Sequence, residues 1–170
     1  MSGGARCDLH CHYLPGIDDG VCSVDEGLAL CRGLSALGFG TVVATPHMRP
    51  GMFDNDKQQL TAAYVGFTER ARNEPGLPEL GLAAEHFYDD VVLSRIGRGE
   101  ALPYPGGHAL LLEFPPERLP LGLVEQFFRM QVRGLRPVIA HPERYSPIWK
   151  SSEALRELVE RGALALLDVM

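Results

Sequence analysis

Short apolar runs alternate with segments of helical periodicity along this 170-residue chain, and most of the runs lead into an ionisable side chain. The runs are Cys7–His12, Thr41–Thr45, Leu80–Ala84, His108–Glu113, Arg136–His141 and Ala163–Val169. Such runs, bounded by turn signals, read as strands buried on both faces. Between them lie five helical segments. Ser23-Val-Asp-Glu26 is a capping box, followed by Val24, Leu28, Cys31, Leu34 and Leu37 at helical spacing and closed by Gly38 and Gly40. Further helices are expected over about 56–73 (closed by Pro75, Gly76 and Pro78), about 89–96, about 121–133, and about 153–161, the last capped by Ser151 or Ser152. In the 121–133 helix, Leu123, Phe127, Met130 and Gln131 share a flank. Five βα units and a final strand predict an α/β fold with a parallel sheet covered by helices. A barrel and an open doubly wound sheet both fit.

The length suits one domain that buries roughly 70% of its unfolded surface. A net charge of −6 without a basic segment argues against nucleic-acid binding. No apolar run approaches the ~18 residues of a membrane span, and Met1–Arg6 lacks a signal-peptide core. The expectation is a cytoplasmic protein that is not membrane-inserted. Cys7, Cys11, Cys22 and Cys31 read as free thiols, and none has the arginine six positions later that a cysteine-based phosphatase needs. A structural zinc site from Cys7, His10, Cys11 and His12 would require the first strand to break.

Asp8-Leu-His-Cys-His-Tyr-Leu-Pro-Gly-Ile-Asp-Asp-Gly20 is the densest chemistry in the chain. On an extended strand His10 and His12 point to one side, a start on a site for Zn²⁺, Mn²⁺ or Fe²⁺. After the Leu14-Pro15-Gly16 turn, Asp18 and Asp19 can return a carboxylate to it. His47, Glu85, Glu113 and His141 also fall at the carboxyl ends of predicted strands, the rim that carries active sites in parallel α/β folds. Four imidazoles with two or more carboxylates suit two or three metals, a carboxylate bridging a pair ~3.5–4 Å apart. Arg144 is placed to hold phosphate oxygens bidentately. His86 should face away from Glu85, and His108 lies at the opposite rim. Phe87, Tyr88 and Trp149 read as packing or groove-wall residues, and Asp89 and Asp90 as a helix start.

Taken together, D-L-H-C-H-Y-L-P-G-I-D-D-G at 8–20, A-T-P-H at 44–47, A-E at 84–85, L-L-E-F-P at 111–115 and P-V-I-A-H-P-E-R at 137–144 resemble the polymerase-and-histidinol-phosphatase (PHP) superfamily. More narrowly, they resemble the manganese-dependent protein-tyrosine phosphatases of bacterial capsule and exopolysaccharide export systems. The resemblance implies a distorted, incomplete (βα) PHP-type barrel with parallel strands, spanning 1–170 as a single domain that lacks its C-terminal strand or strands. It implies His10, His12, Asp19, His47, Glu85, Glu113 and His141 as ligands of two or three divalent metals, manganese first and iron or zinc as alternatives. Asp19 and Arg144 are the implied catalytic residues, Arg144 holding the phosphate. The implied reaction is attack of a metal-bound hydroxide on a phosphotyrosine ester, on the tail of a tyrosine autokinase, and the implied assembly is a homo-oligomer.

Two departures stand out. Phe87 occupies a position where many members have arginine, and the Asp-x-His that supplies the family's last two ligands does not occur; Asp168 has no histidine after it. Two other readings therefore accompany the first: a PHP phosphatase for a small ester such as histidinol phosphate, and a non-catalytic, degenerate PHP regulatory module.

Overall fold

The computed structural model describes residues 6–168, which divide after Ala84 into two compact units. The lead Met1–Ala5 and Val169, the expected end of the sixth strand, lie outside the described residues.

The first unit is built on a three-stranded parallel sheet in the order β1 (Arg6–Cys11), β2 (Phe39–Ala44), β4 (Glu79–Leu82). Helices α1 (Val24–Ala36) and α2 (Lys57–Ala71) make its crossovers, and a two-residue strand, β3 (His47–Met48), follows Pro46. Its core gathers Cys11, Tyr13, Leu14, Leu28, Cys31, Val42, Ala44, Phe67 and Ala71. Val42 and Ala44 are shut off from solvent, as strands buried on both faces require. Two tyrosine hydroxyls donate to β4 carbonyls, Tyr13 to Gly81 and Tyr64 to Leu80, both at 2.8 Å.

The α1 start is half the expected box. The Ser23 hydroxyl accepts from the Glu26 amide at 3.3 Å, but the Glu26 carboxylate accepts from Cys22 N–H at 2.7 Å rather than from Ser23. The complete box belongs to α2, where Asp56 and Gln59 satisfy each other's amides.

The second unit carries β5 (Glu85–Phe87), β6 (Ala109–Glu113), β7 (Arg136–Ala140) and β8 (Leu164–Leu166), all parallel and paired in that order. Its helices are α3 (Asp90–Gly97), α4 (Leu123–Val132), α5 (Ser146–Lys150) and α6 (Glu153–Glu160). Leu110, Leu111, Leu112, Phe127, Ile139 and Leu158 form its core. Asp89 caps α3 through Val92 N–H at 2.7 Å, so the expected helix start holds.

Several details differ from expectation. Among the described residues eight strands replace six, because the runs at 41–47 and 80–85 are each interrupted. Pro46 has no N–H to continue the ladder; after Thr45 N–H donates to Cys11 O and Ala83 N–H to Ala44 O, both at 2.8 Å, the chain leaves the sheet. His47 and Glu85 therefore begin short strands rather than end long ones. Helix α5, with Pro147 in its first turn, was not expected. On the expected α4 flank Leu123, Phe127 and Met130 are buried, and the Gln131 amide donates to Arg161 O at 2.7 Å. Ser152 occupies the α6 cap position without a side-chain bond, and Ser151 accepts from Glu153 N–H at 3.2 Å instead. No helix among the described residues is long and apolar enough to cross a membrane.

Glycine decides how close α1 comes. A Cβ on Gly27 would lie 2.5 Å from the Tyr13 carbonyl oxygen and 2.8 Å from the Phe67 ring, while one on Gly33 meets nothing within 4 Å. Gly33→Ala should then stabilise by about 0.5–1 kcal/mol through helix propensity. Gly27→Ala should destabilise by about 1–3 kcal/mol through overpacking. Urea midpoints of the two variants are expected on opposite sides of wild type, and shifts of the same sign would refute the close-approach argument.

Candidate metal centre

In the first unit the site starts from an irregularity in β1. Cys7 and Asp8 pair with Thr41 and Val42, but Cys11 pairs with Ala44, so β1 carries one more residue than β2 over this span. Such a bulge re-aims side chains, and here the Asp8 carboxylate accepts from His10 N–H at 3.0 Å. The His10 and His12 rings sit side by side, centroids 5.4 Å apart, as their shared face predicts.

The loop after β1 folds back onto His12. Asp18 Oδ2 accepts from His12 Nδ1 at 2.7 Å and from His47 N–H at 3.1 Å, and its Oδ1 accepts from Gly20 N–H at 3.0 Å. Burial pushes the Asp18 carboxyl up, but the His12 bond and charge and the two amides outweigh it and hold it below the usual carboxylate range. Asn55 fixes the same loop from outside, donating to Ile17 O and His47 O at 2.9 Å each. The His47 ring stacks on Phe53, centroids 5.2 Å apart and 9° between planes.

Asp18 and Asp19 divide the work. The Asp18 side chain is 1% exposed and the Asp19 side chain 67%, and Asp19 Oδ1 lies 3.5 Å from His47 Nε2 and 3.9 Å from His12 Nδ1. The donor atoms of His12, Asp19 and His47 all fall within 4.8 Å of one another. Metal–ligand bonds of ~2.0–2.2 Å place donors on one ion no more than ~4.4 Å apart, so this set is a candidate for one cation. Two imidazoles and a carboxylate suit the divalent transition metals.

The second unit holds the other candidates. Glu85 Oε1 and His141 Nε2 are 2.7 Å apart, with the side chains 1% and 5% exposed. His141 follows β7 with φ 31° and ψ 58°, the one positive-φ non-glycine among the described residues. Its ring lies 5.7 Å from that of Tyr145, whose hydroxyl accepts from Phe114 N–H at 3.1 Å. Burial raises the Tyr145 phenol far above its ordinary range, with the Glu113, Glu85 and Glu143 carboxylates adding to the effect and the Phe114 bond opposing it. Glu113 ends β6 as expected, half-buried. Arg144, in the single 3₁₀ turn Pro142–Arg144, is ion-paired with Asp168.

Several weighed residues resolve. Leu102 N–H donates to His86 Nε2 at 3.1 Å, and His86 Nδ1 then donates to Leu111 O at 3.0 Å; both nitrogens serve the backbone, so His86 is a structural residue. His108 is exposed. Trp149 is 76% exposed, its indole N–H donating to Glu143 O, so it is not packing. Cys11 and Cys31 are buried, and burial first, then Asp8, raises their thiols to about 12 and about 11. No candidate metal-binding group among the described residues includes a cysteine, which removes the structural zinc reading. Asp18, named from the sequence only beside Asp19, and Asn55, not named at all, both brace this loop. The Asp18-Asp19-Gly20 triplet was the signal, but not which carboxylate would turn inward.

Tyr145→Phe should cost about 1–3 kcal/mol, because it leaves the buried Phe114 amide without its acceptor. Chemical denaturation checks this, and a loss below about 0.5 kcal/mol would mean that the amide finds another partner.

Parallel sheets carrying imidazoles and carboxylates, with the His12, Asp19 and His47 donor atoms within 4.8 Å of one another, define this as an α/β domain with a candidate metal centre. The family model described as capsular polysaccharide synthesis, CpsB/CapC, matches residues 6–170, and the chain belongs to that family. It is 31% identical over 158 residues to tyrosine-protein phosphatase YwqE of Bacillus subtilis (strain 168), covering 92% of this chain and 61% of that protein. It is 30% identical over 162 residues to the putative tyrosine-protein phosphatase CapC of Staphylococcus aureus, covering 93% and 62%. Among solved structures it matches one from a study of YwqE from Bacillus subtilis and CpsB from Streptococcus pneumoniae, described as unique metal-dependent tyrosine phosphatases. The TM-score is 0.87 and the identity 29%, covering 95% of this chain and 66% of that one. The chain thus spans somewhat less than two thirds of the length of these relatives. The PHP-type α/β fold implied by the sequence motifs is the fold of these proteins.

Proposed function

We propose that this protein is a metal-dependent phosphomonoesterase acting on phosphotyrosine in proteins. Its ligands are His10, His12, Asp19, His47, Glu85, Glu113 and His141, its metals two or three manganese ions, and its substrate the tail of a membrane-associated bacterial tyrosine autokinase. The observation that carries this reading is the His12–Asp19–His47 set within 4.8 Å, in a chain whose relatives are named tyrosine-protein phosphatases. The buried Glu85–His141 pair supports it, since a carboxylate and an imidazole withdrawn from water together are costly as a mere structural feature and suited to a cation.

When bound, the metals supply Lewis acidity, polarising the phosphoryl group and making a water acidic enough to serve as nucleophile near neutral pH. The protein's own share is positioning: Asp19 and the histidines hold the cations, and Arg144 orients the phosphate. Arg144 cannot be a ligand, because a guanidinium has no lone pair to give. Its Nη2 pairs with Asp168 Oδ2, an oxyanion contact of the kind a phosphate also offers.

Elemental analysis set beside turnover with and without Mn²⁺ tests the reading. Two or three equivalents of metal, and Mn²⁺-dependent hydrolysis of a phosphotyrosine peptide in preference to histidinol phosphate, are expected. His12→Ala should lower the content by about one equivalent. Metal content near zero with no turnover would leave the non-catalytic reading, and preference for histidinol phosphate would leave the small-ester one.

Arg144→Ala should lower kcat/KM by about 10²-fold, the scale of losing one preorganised donor, with metal content unchanged. Arg144→Lys should recover little, since an ammonium lacks the bidentate fork. Full activity in Arg144→Ala removes Arg144 from the phosphate site.

A further inference from the structure

We infer that Asp18 is a positioning residue that fixes which nitrogen of His12 is offered to a metal and ties that choice to the placement of His47. The inference rests on the metal-centre reading above.

The Asp18 carboxylate receives three N–H donors on two oxygens: His12 Nδ1 and His47 N on Oδ2, at 2.7 and 3.1 Å, and Gly20 N on Oδ1, at 3.0 Å. One oxygen atom therefore serves both the ring of one proposed ligand and the main chain of another. An imidazole whose Nδ1 donates to a carboxylate carries its lone pair on Nε2, which is how such a partner selects the ligating nitrogen and raises its basicity. The near-complete burial of Asp18, against the open position of Asp19, gives the two adjacent aspartates different roles: the inner one aims, the outer one coordinates.

The close fit of the loop enforces this. A Cβ on Gly20 would stand 2.3 Å from His12 O and 2.5 Å from His12 Cβ, so the triplet lies flat against His12, and Val21 N–H donates to His12 O at 3.2 Å. No other side chain at position 20 would let the carboxylate approach Nδ1 in this way.

An amide cannot substitute. Asparagine has a single acceptor oxygen for three donors, so one N–H must face its NH₂ group. If the NH₂ turns to His12, the ring bond survives only with the imidazole proton moved to Nε2, which withdraws the lone pair a metal needs. If it turns to Gly20, the loop loses its closing bond.

Long-range ¹H–¹⁵N correlation on the metal-free full chain reads the tautomer, and chelator competition reads the affinity for Mn²⁺ alone. Wild-type His12 is expected with its proton on Nδ1. Asp18→Asn should move it toward Nε2 and weaken Mn²⁺ binding by 10- to 100-fold, the usual effect of losing such a partner. Asn55→Ala, which loosens the same loop without touching Nδ1, should leave the tautomer as in wild type. The inference is overturned by a wild-type proton on Nε2, by a loss of affinity under tenfold in Asp18→Asn, or by an equal tautomer shift in Asn55→Ala. Should Asp18→Asn not fold, the wild-type tautomer still decides. A wild type that binds no Mn²⁺ refutes the metal-centre reading instead, and the tautomer data then judge the hold of Asp18 on His12 by themselves.

Discussion

A parallel strand covered on both faces has no place for a charge along its length. Leu110, Leu111 and Leu112 of β6 are fully buried and Glu113 follows them; Val138, Ile139 and Ala140 of β7 are buried and His141 follows. Removing an unpaired ion from water costs several kcal/mol, so ionisable groups collect where the ladders stop and main-chain groups become available to hold them. Strands β6 and β7 obey this rule, whereas Glu85 and His86 open the short strand β5 and are each held there by hydrogen bonds.

Collecting ligands is not the same as aiming them. In the first unit the aim comes from short-range polar contacts: Asp8 to the bulged His10 amide, Asp18 to His12 and His47, Asn55 to the carbonyls of Ile17 and His47. In the second it comes from backbone geometry and aromatic support, with Tyr145 beneath His141 and its hydroxyl on the Phe114 amide. The ionisable group beside a proposed ligand is thus not always a proposed ligand itself. His86, next to Glu85, is consumed by the backbone on both nitrogens.

Apolar runs and helical spacing made the parallel α/β class, all six expected strands and five of the six α-helices among the described residues legible from the sequence. The interruptions at Pro46 and at Ala83–Ala84 were not, because a run of apolar residues looks the same whether the strand continues or steps off its sheet. Helix α5 is too short to show a period. The His10–His12 pair was readable from strand alternation although β1 is bulged, because the extra residue falls before Cys11. Asp18 was not, since adjacent aspartates in a loop have no periodicity to distinguish inside from outside. The direction in which Glu26 and Gln131 bond was equally hidden, as it depends on which amide the fold leaves nearest.

His141 shows what the site requires of the chain. A left-handed conformation costs a non-glycine residue on the order of 1–2 kcal/mol, and the residue before a proline is normally driven to extended geometry; His141 precedes Pro142 and adopts neither common state. Had β7 simply continued, its next side chain would have projected by strand alternation, with no bend to begin the 3₁₀ turn. The left-handed turn instead brings Arg144 N–H onto His141 O at 2.9 Å and starts Pro142–Arg144 at once, while Nε2 meets the buried Glu85 carboxylate at 2.7 Å. One strained residue therefore fixes two directions, that of the imidazole and that of the segment bearing Arg144. The strain persists because the Glu85 bond, the Tyr145 ring and the turn's own hydrogen bond all oppose its release, and relaxing it would misplace a proposed metal ligand and the proposed phosphate-binding arginine in a single step.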